Sequence, residues 1–167
     1  MSLFKFIKDA GERLFGSGEA QAATPAAGAP AARPDPAAAN ASAAAAIKTY
    51  IEKMQLAPAD LAVAFDGATA TVTVSGTAPD QATRERILLA AGNVRGVADV
   101  DDRMQVASPA PEARFHTVVR GDTLSAIAKT YYGNANRYPA IFEANKPMLS
   151  HPDKIYPGQV LRIPALD

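Results

Sequence analysis

Apolar residues recur along the chain in two rhythms, and the places where one gives way to the other mark out its elements. Near the start, Leu3, Phe4, Ile7, Ala10 and Leu14 recur at helical spacing, with Phe6 and Phe15 beside them and charges opposite. Residues 3–15 therefore predict an amphipathic helical head, which Ala10-Gly11 interrupts or bends. A helix this short is marginal alone, so its stripe is expected to dock on the rest of the protein. A membrane surface is the alternative partner, but Lys5, Lys8 and Arg13 against Asp9 and Glu12 support it weakly.

Over residues 16–42 the rhythm disappears. This stretch is alanine, glycine and proline, with Pro25, Pro30, Pro34 and Pro36 and almost no large apolar group. It cannot recover the entropy of ordering and reads as a flexible to semi-extended linker. Helix is expected to restart within the alanine run 43–46.

Residues 43–107 bring the pattern back. AAAAIKTYIEKMQL is helical, with Ile47, Tyr50, Ile51 and Met54 on one face. LAVAFDG alternates as a strand through Leu61, Val63 and Phe65, Asp66-Gly67 turns the chain, and ATVTVSG alternates again through Val72 and Val74. Pro79 is expected to open a second helix carrying Ile87, Leu88 and Ala91 inward, which Gly92-Asn93 ends. VADVDDRMQV reads as a last strand. The order α-β-β-α-β places helices on one face of a small sheet.

A short linker, residues 108–114, leads to a second unit over residues 115–167 with the order β-α-α-β. FHTVV is its first strand and TLSAIAKTYY its first helix, behind Asp122 as the expected N-cap. The second helix runs from Tyr138 to Asn145, and Tyr156-Pro157-Gly158-Gln159 turns into the strand VLRIP. The fold class is thus α+β: two small domains behind a helical head.

Composition removes several functions. Lysine plus arginine and aspartate plus glutamate each total 17, and this balance argues against a general nucleic-acid binder, which needs excess cations. With no cysteine, disulfides and thiolate metal sites are excluded. Charges interrupt the start and leave no apolar h-region, and no run of about 18 apolar residues occurs, so a cytoplasmic chain without a transmembrane segment is expected. No phosphate-binding glycine loop and no nucleophile–base–acid set is legible, so an enzyme is not expected. His116 and His151 read as structural or exposed. Asp99, Asp101 and Asp102 lack the glycine turn and distal glutamate of a calcium loop and read as a solvated strand face.

The block RGDTLSAIA, the YGN turn, the helix end IFEANKP and the close PGQVLRIP stand in the order and spacing of a LysM domain, which this unit resembles over its whole length. The preceding unit, with its VTVSG strand and GNVRGVADVDD loop-strand, resembles a BON domain. LysM resemblance implies a groove for N-acetylglucosamine-containing chains lined by Gly121, Asp122, Thr123 and Leu124, and by Ile155, Tyr156, Pro157 and Gly158. The same residues have a purely structural reading: a helix cap, core side chains and a turn.

The order head, BON, LysM further resembles a bacterial family of potassium-binding proteins, from which this chain departs in its long linker. Residues alone offer one loop suited to a weakly hydrated cation, Gly92-Asn93-Val94-Arg95-Gly96-Val97. It follows a helix whose last carbonyls lack partners, and two glycines let its backbone turn inward. An ordinary glycine C-cap is the competing reading. The resemblance implies that the head meets this loop around potassium, through the carbonyls of Ile7, Ala10, Gly92, Val94 and Val97. A monomer that closes its head, BON and LysM parts around the ion is expected. An envelope adaptor holding peptidoglycan through LysM, and a phospholipid-associating BON protein, are the alternatives.

Overall fold

The structure, a computed structural model, describes residues 4–5 and 35–166. Its first helix, α1 (Pro36–Lys53), begins earlier than the alanine run predicts, so residues 36–42 are helical rather than linker. The reason is a complete start signal. The Asp35 carboxylate accepts the Ala37 N–H at 3.0 Å, and Pro36, with no N–H to lose, occupies the first turn. Alanine, the best helix former, then carries the helix forward.

A second departure lies at the chain start. Phe4–Lys5 form a strand, β1, rather than the first turn of the helix expected over residues 3–15; the remainder of that span lies outside the described residues. Phe4-Lys5-Phe6 also alternates with period two, and a neighbouring strand edge supplies partners that an isolated helical turn lacks.

Strands β2 (Ala62–Asp66) and β3 (Thr71–Asp80) form the expected hairpin, with Val63 opposite Val74. Asn40 of α1 pins its turn by accepting the Gly67 N–H at 3.0 Å. β3 runs on through Pro79, which therefore closes a strand instead of opening a helix. The N-cap of α2 (Gln81–Gly92) is Asp80, whose carboxylate accepts the Thr83 N–H at 2.7 Å. After α2 the chain returns as β4 (Asp99–Ser108), parallel to β3 and antiparallel to β1, giving the sheet order β1-β4-β3-β2. Ile47 and Ile51 of α1, Ile87 and Leu88 of α2, and Val72, Val74 and Val100 of the sheet build one core.

The second domain is β5 (Arg114–Thr117), α3 (Leu124–Tyr132), a 3-10 turn, α4 (Tyr138–Ala144) and β6 (Val160–Ile163), as the pattern predicts. β5 and β6 pair antiparallel, and Leu124, Ile127, Ile141, Leu149, Leu161 and Ile163 fill a core of their own.

The two domains meet along α2. Ile87, Leu88, Leu89, Ala90 and Ala91 are successive residues and every one is buried, which a one-sided amphipathic helix cannot achieve. Their own sheet and α1 cover one side. On the other, Val160 of β6 joins the first domain's core, with Phe115 and Met148 packed against it. Polar links frame this contact. The Glu85 carboxylate accepts from Gln81 Nε2 and from the Ala113 N–H, each at 2.9 Å, and pairs with the Arg162 guanidinium. Arg86 Nε donates to the Ala144 carbonyl at 3.2 Å.

Two stability predictions follow from this packing. Ile87→Ala is expected to cost about 2–5 kcal/mol, through lost transfer energy and the cavity left behind, read from urea unfolding. Glu85→Ala strands Arg162, whose side chain is 13% exposed, and is expected to cost about 3–5 kcal/mol. The exposed Lys146–Glu143 pair serves as reference, since Glu143→Ala should change stability by less than about 1 kcal/mol.

Candidate cation site

The glycine loop of the sequence reading leaves α2 as a tight double turn. Asn93 N–H donates to the Leu89 carbonyl at 2.9 Å, Val94 N–H to Ala91 at 3.4 Å, and Val97 N–H to Val94 at 3.1 Å. Gly96 holds φ +92°, a left-handed conformation that glycine adopts without strain and that lets the chain reverse between Val94 and Val97. Gly92, Val94 and Val97 are all buried. Among the described residues, no backbone N–H donates to the Gly92 or Val97 carbonyl, and the Val94 carbonyl accepts one and keeps a second lone pair. Shielded neutral oxygens gathered on one short loop are the donor set that a large monovalent cation prefers.

Strand register sets the direction of Phe4–Lys5 relative to this loop. Lys5 pairs with Asp99, two residues beyond Val97, and β1 runs antiparallel to β4. Its direction of travel is therefore toward the loop. Ile7 and Ala10, the head's two candidate carbonyls, lie outside the described residues.

Of the aspartates beyond the loop, Asp102 departs from the solvated face that the sequence suggested, while Asp99 and Asp101 stay partly exposed. Asp102 pairs with Arg84, its side chain only 2% exposed, because alternation along β4 points it beneath α2. Asp101 accepts from Arg103 Nε at 2.9 Å and from Thr73 Oγ1 at 3.4 Å, and Asp99 Oδ1 accepts the Val100 N–H.

In the LysM unit, the chain just before the first candidate groove segment is tied to the end of the second. The Val118 carbonyl accepts the Gly158 N–H and the Val118 N–H donates to Gln159, both at 2.8 Å. Gly121 and Gly158 hold φ of +94° and +87° at the two turns. Asp122, however, is not the cap of α3. Thr123 is, its Oγ1 accepting the Ala126 N–H at 3.1 Å. The Asp122 carboxylate instead accepts the Val119 N–H at 3.0 Å and lies 2.8 Å from His116 Nε2. The Val119 bond and then His116 hold its carboxyl below the usual carboxylate range. His116 Nδ1 lies 3.3 Å from the Tyr131 hydroxyl, so this histidine is an internal tie between strand, loop and helix. Leu124 is buried, Ile155 packs on the domain core, Pro157 is exposed, and burial pushes the Tyr156 phenol up to about 12.

Sequence reasoning placed Asn93 at a helix end and in the candidate loop but missed its contact with the other domain. Its side-chain amide spans the two domains, donating to the Val160 carbonyl and accepting the Val160 N–H, each at 3.0 Å. The signal available was the unbroken ILLAA run before it, which demands a second cover on α2.

Comparison with known proteins agrees with this architecture. The BON domain family matches residues 39–108 and the LysM domain family residues 116–164. The chain is 46% identical over 164 residues to the potassium binding protein Kbp of Escherichia coli, covering 98% of this chain and 99% of that one. An uncharacterized protein of Deinococcus radiodurans is 41% identical over 86 residues, 45% of this chain and 33% of its own length. An esterase of Mycobacterium tuberculosis is 47% identical over 53 residues, which is 32% of this chain and 11% of that protein, a stretch about the size of one LysM unit. BON and LysM are both binding modules, and the chain is a binding protein rather than an enzyme. Identity of this degree over nearly the whole of both chains places it in one family with Kbp, a BON domain followed by a LysM domain.

Proposed function

We propose that this protein binds potassium at the loop 92–97 and closes its head, BON and LysM parts around the ion. The observation that carries the reading is the loop itself. The carbonyls of Gly92, Val94 and Val97, three buried residues, belong to one double turn and have lone pairs not used by the described backbone N–H groups. Neutral carbonyls suit potassium because it surrenders its hydration shell more readily than smaller cations do, so no carboxylate is needed at the centre. The direction of β1 toward Val97 supports a contribution from the head, through the carbonyls of Ile7 and Ala10. Likeness to a protein named for potassium binding, over almost the entire length, supports the same ion.

A cation drawn by carbonyls from two segments favours the conformation that brings both together, a population shift in proportion to its differential affinity. LysM rests directly on α2, whose last residue is Gly92, so ordering this loop bears on the docking of LysM as well. A cytoplasmic setting, where potassium is the abundant cation, and a monomer complete this reading.

Calorimetric titration with potassium chloride, and then with sodium chloride at matched ionic strength, tests it. A saturable heat for potassium and a much weaker response to sodium are expected. No heat, or equal heats for the two salts, would contradict it. Gly96→Ala, which forces a side chain onto φ +92°, is expected to weaken potassium binding at least tenfold.

A further inference from the structure

The two peptide groups on the outer edge of β6 are met in the same unusual way. In an antiparallel pair, alternate residues turn their N–H and C=O toward opposite edges. Those of Val160 and Arg162 face away from β5. At Arg162 the edge is closed within the LysM domain: Asn145 Nδ2 donates to the Arg162 carbonyl and Asn145 Oδ1 accepts the Arg162 N–H, both at 2.8 Å. At Val160 it is closed by a residue of the other domain. Asn93 repeats the two-way bond with both distances at 3.0 Å, and its Nδ2 also lies 3.2 Å from Met148 Sδ. Two side-chain amides thus imitate a neighbouring strand, that of Asn145 inside LysM and that of Asn93 across the domain boundary.

The second amide sits in a telling position. Asn93 is the residue between Gly92 and Val94, it caps α2, and its own N–H is fixed to Leu89. Its short side chain has two rotatable bonds, and both ends of its amide are engaged. Hydrogen bonds weaken steeply with distance and angle, so displacement of this backbone by about an ångström breaks the pair. Val160, 3% exposed and packed in the first domain's core, then loses its cover and its partners together.

We infer that Asn93 is the positioning residue through which the loop 92–97 sets where the LysM domain sits. An ordered loop presents the amide to Val160 and holds LysM on α2; a displaced loop withdraws it and releases LysM. The inference rests on the cation reading only for what orders the loop.

The test uses the full chain, which has no cysteine of its own, with one dye pair at Ser42→Cys and Lys129→Cys, both exposed. Energy transfer then reports the separation of α1 from α3 as potassium is added, in wild type, Asn93→Ala, Gly96→Ala and the double variant. Asn93→Ala is expected to lengthen the separation and to raise the potassium midpoint about tenfold, the scale of two lost hydrogen bonds. Gly96→Ala is expected to lengthen it too, yet to add nothing once Asn93 is alanine. Additive effects on the separation in the double variant, or a separation and midpoint untouched by Asn93→Ala, would overturn the inference.

The two readings fail separately. A wild type deaf to potassium, with non-additive variants, removes the ion and keeps the coupling; a responsive wild type with additive variants does the reverse. Asn93→Asp guards against simple misfolding. Its carboxylate opposes the Val160 carbonyl at neutral pH, so the domains are expected to part and to reclose as acid restores a donor. Unchanged separation across that pH range would also count against the inference.

Discussion

The fold depends on one requirement: the apolar run 87–91 of α2 has to be covered all round. A single sheet covers one side of a helix. The first domain meets that half with β3, β4 and α1, and the LysM domain meets the other with Val160, Phe115 and Met148. The boundary between two folding families is therefore a continuation of a core. Around it, Glu85, Arg162, Arg86 and Asn93 satisfy the polar groups that docking removes from water, which burial of an unpaired group would otherwise penalise.

Much of this was legible in the residues, and the limits have physical causes. Alternation through Val63, Phe65, Val72 and Val74 gives the hairpin because its register has one buried face to satisfy. Helix ends were less legible, because competing caps stand next to each other. Asp122 and Thr123 can both cap α3, and the strand-borne His116 decides between them by drawing in Asp122. Pro79 and Asp80 stand in the same relation at α2. At Phe4-Lys5 the chain satisfies both periods, and the open edge of β4 selects the strand. Contacts between elements distant in sequence were least legible. The pairing of Asp102 with Arg84 and of Asn93 with Val160 depends on tertiary placement that local pattern does not encode.

The candidate cation loop gains meaning from its location. Its carbonyls lie at the end of the helix that LysM covers, and β1 brings the chain start to the strand that follows it. The strand at the chain start, the end of α2 and the LysM strand β6 thus all lie within a few residues of this loop. The candidate LysM groove segments are a separate region, where Asp122 is tied to His116 and Val119 and His116 to Tyr131 within the domain.

The most direct measurement is the titration of backbone amide resonances with potassium and with sodium. The account predicts that Asn93, Gly96 and Val97 shift together with Val160 and Arg162 at a single potassium midpoint, while sodium leaves them in place. Shifts absent from the loop, identical for both salts, or confined to the loop with Val160 unmoved would contradict it.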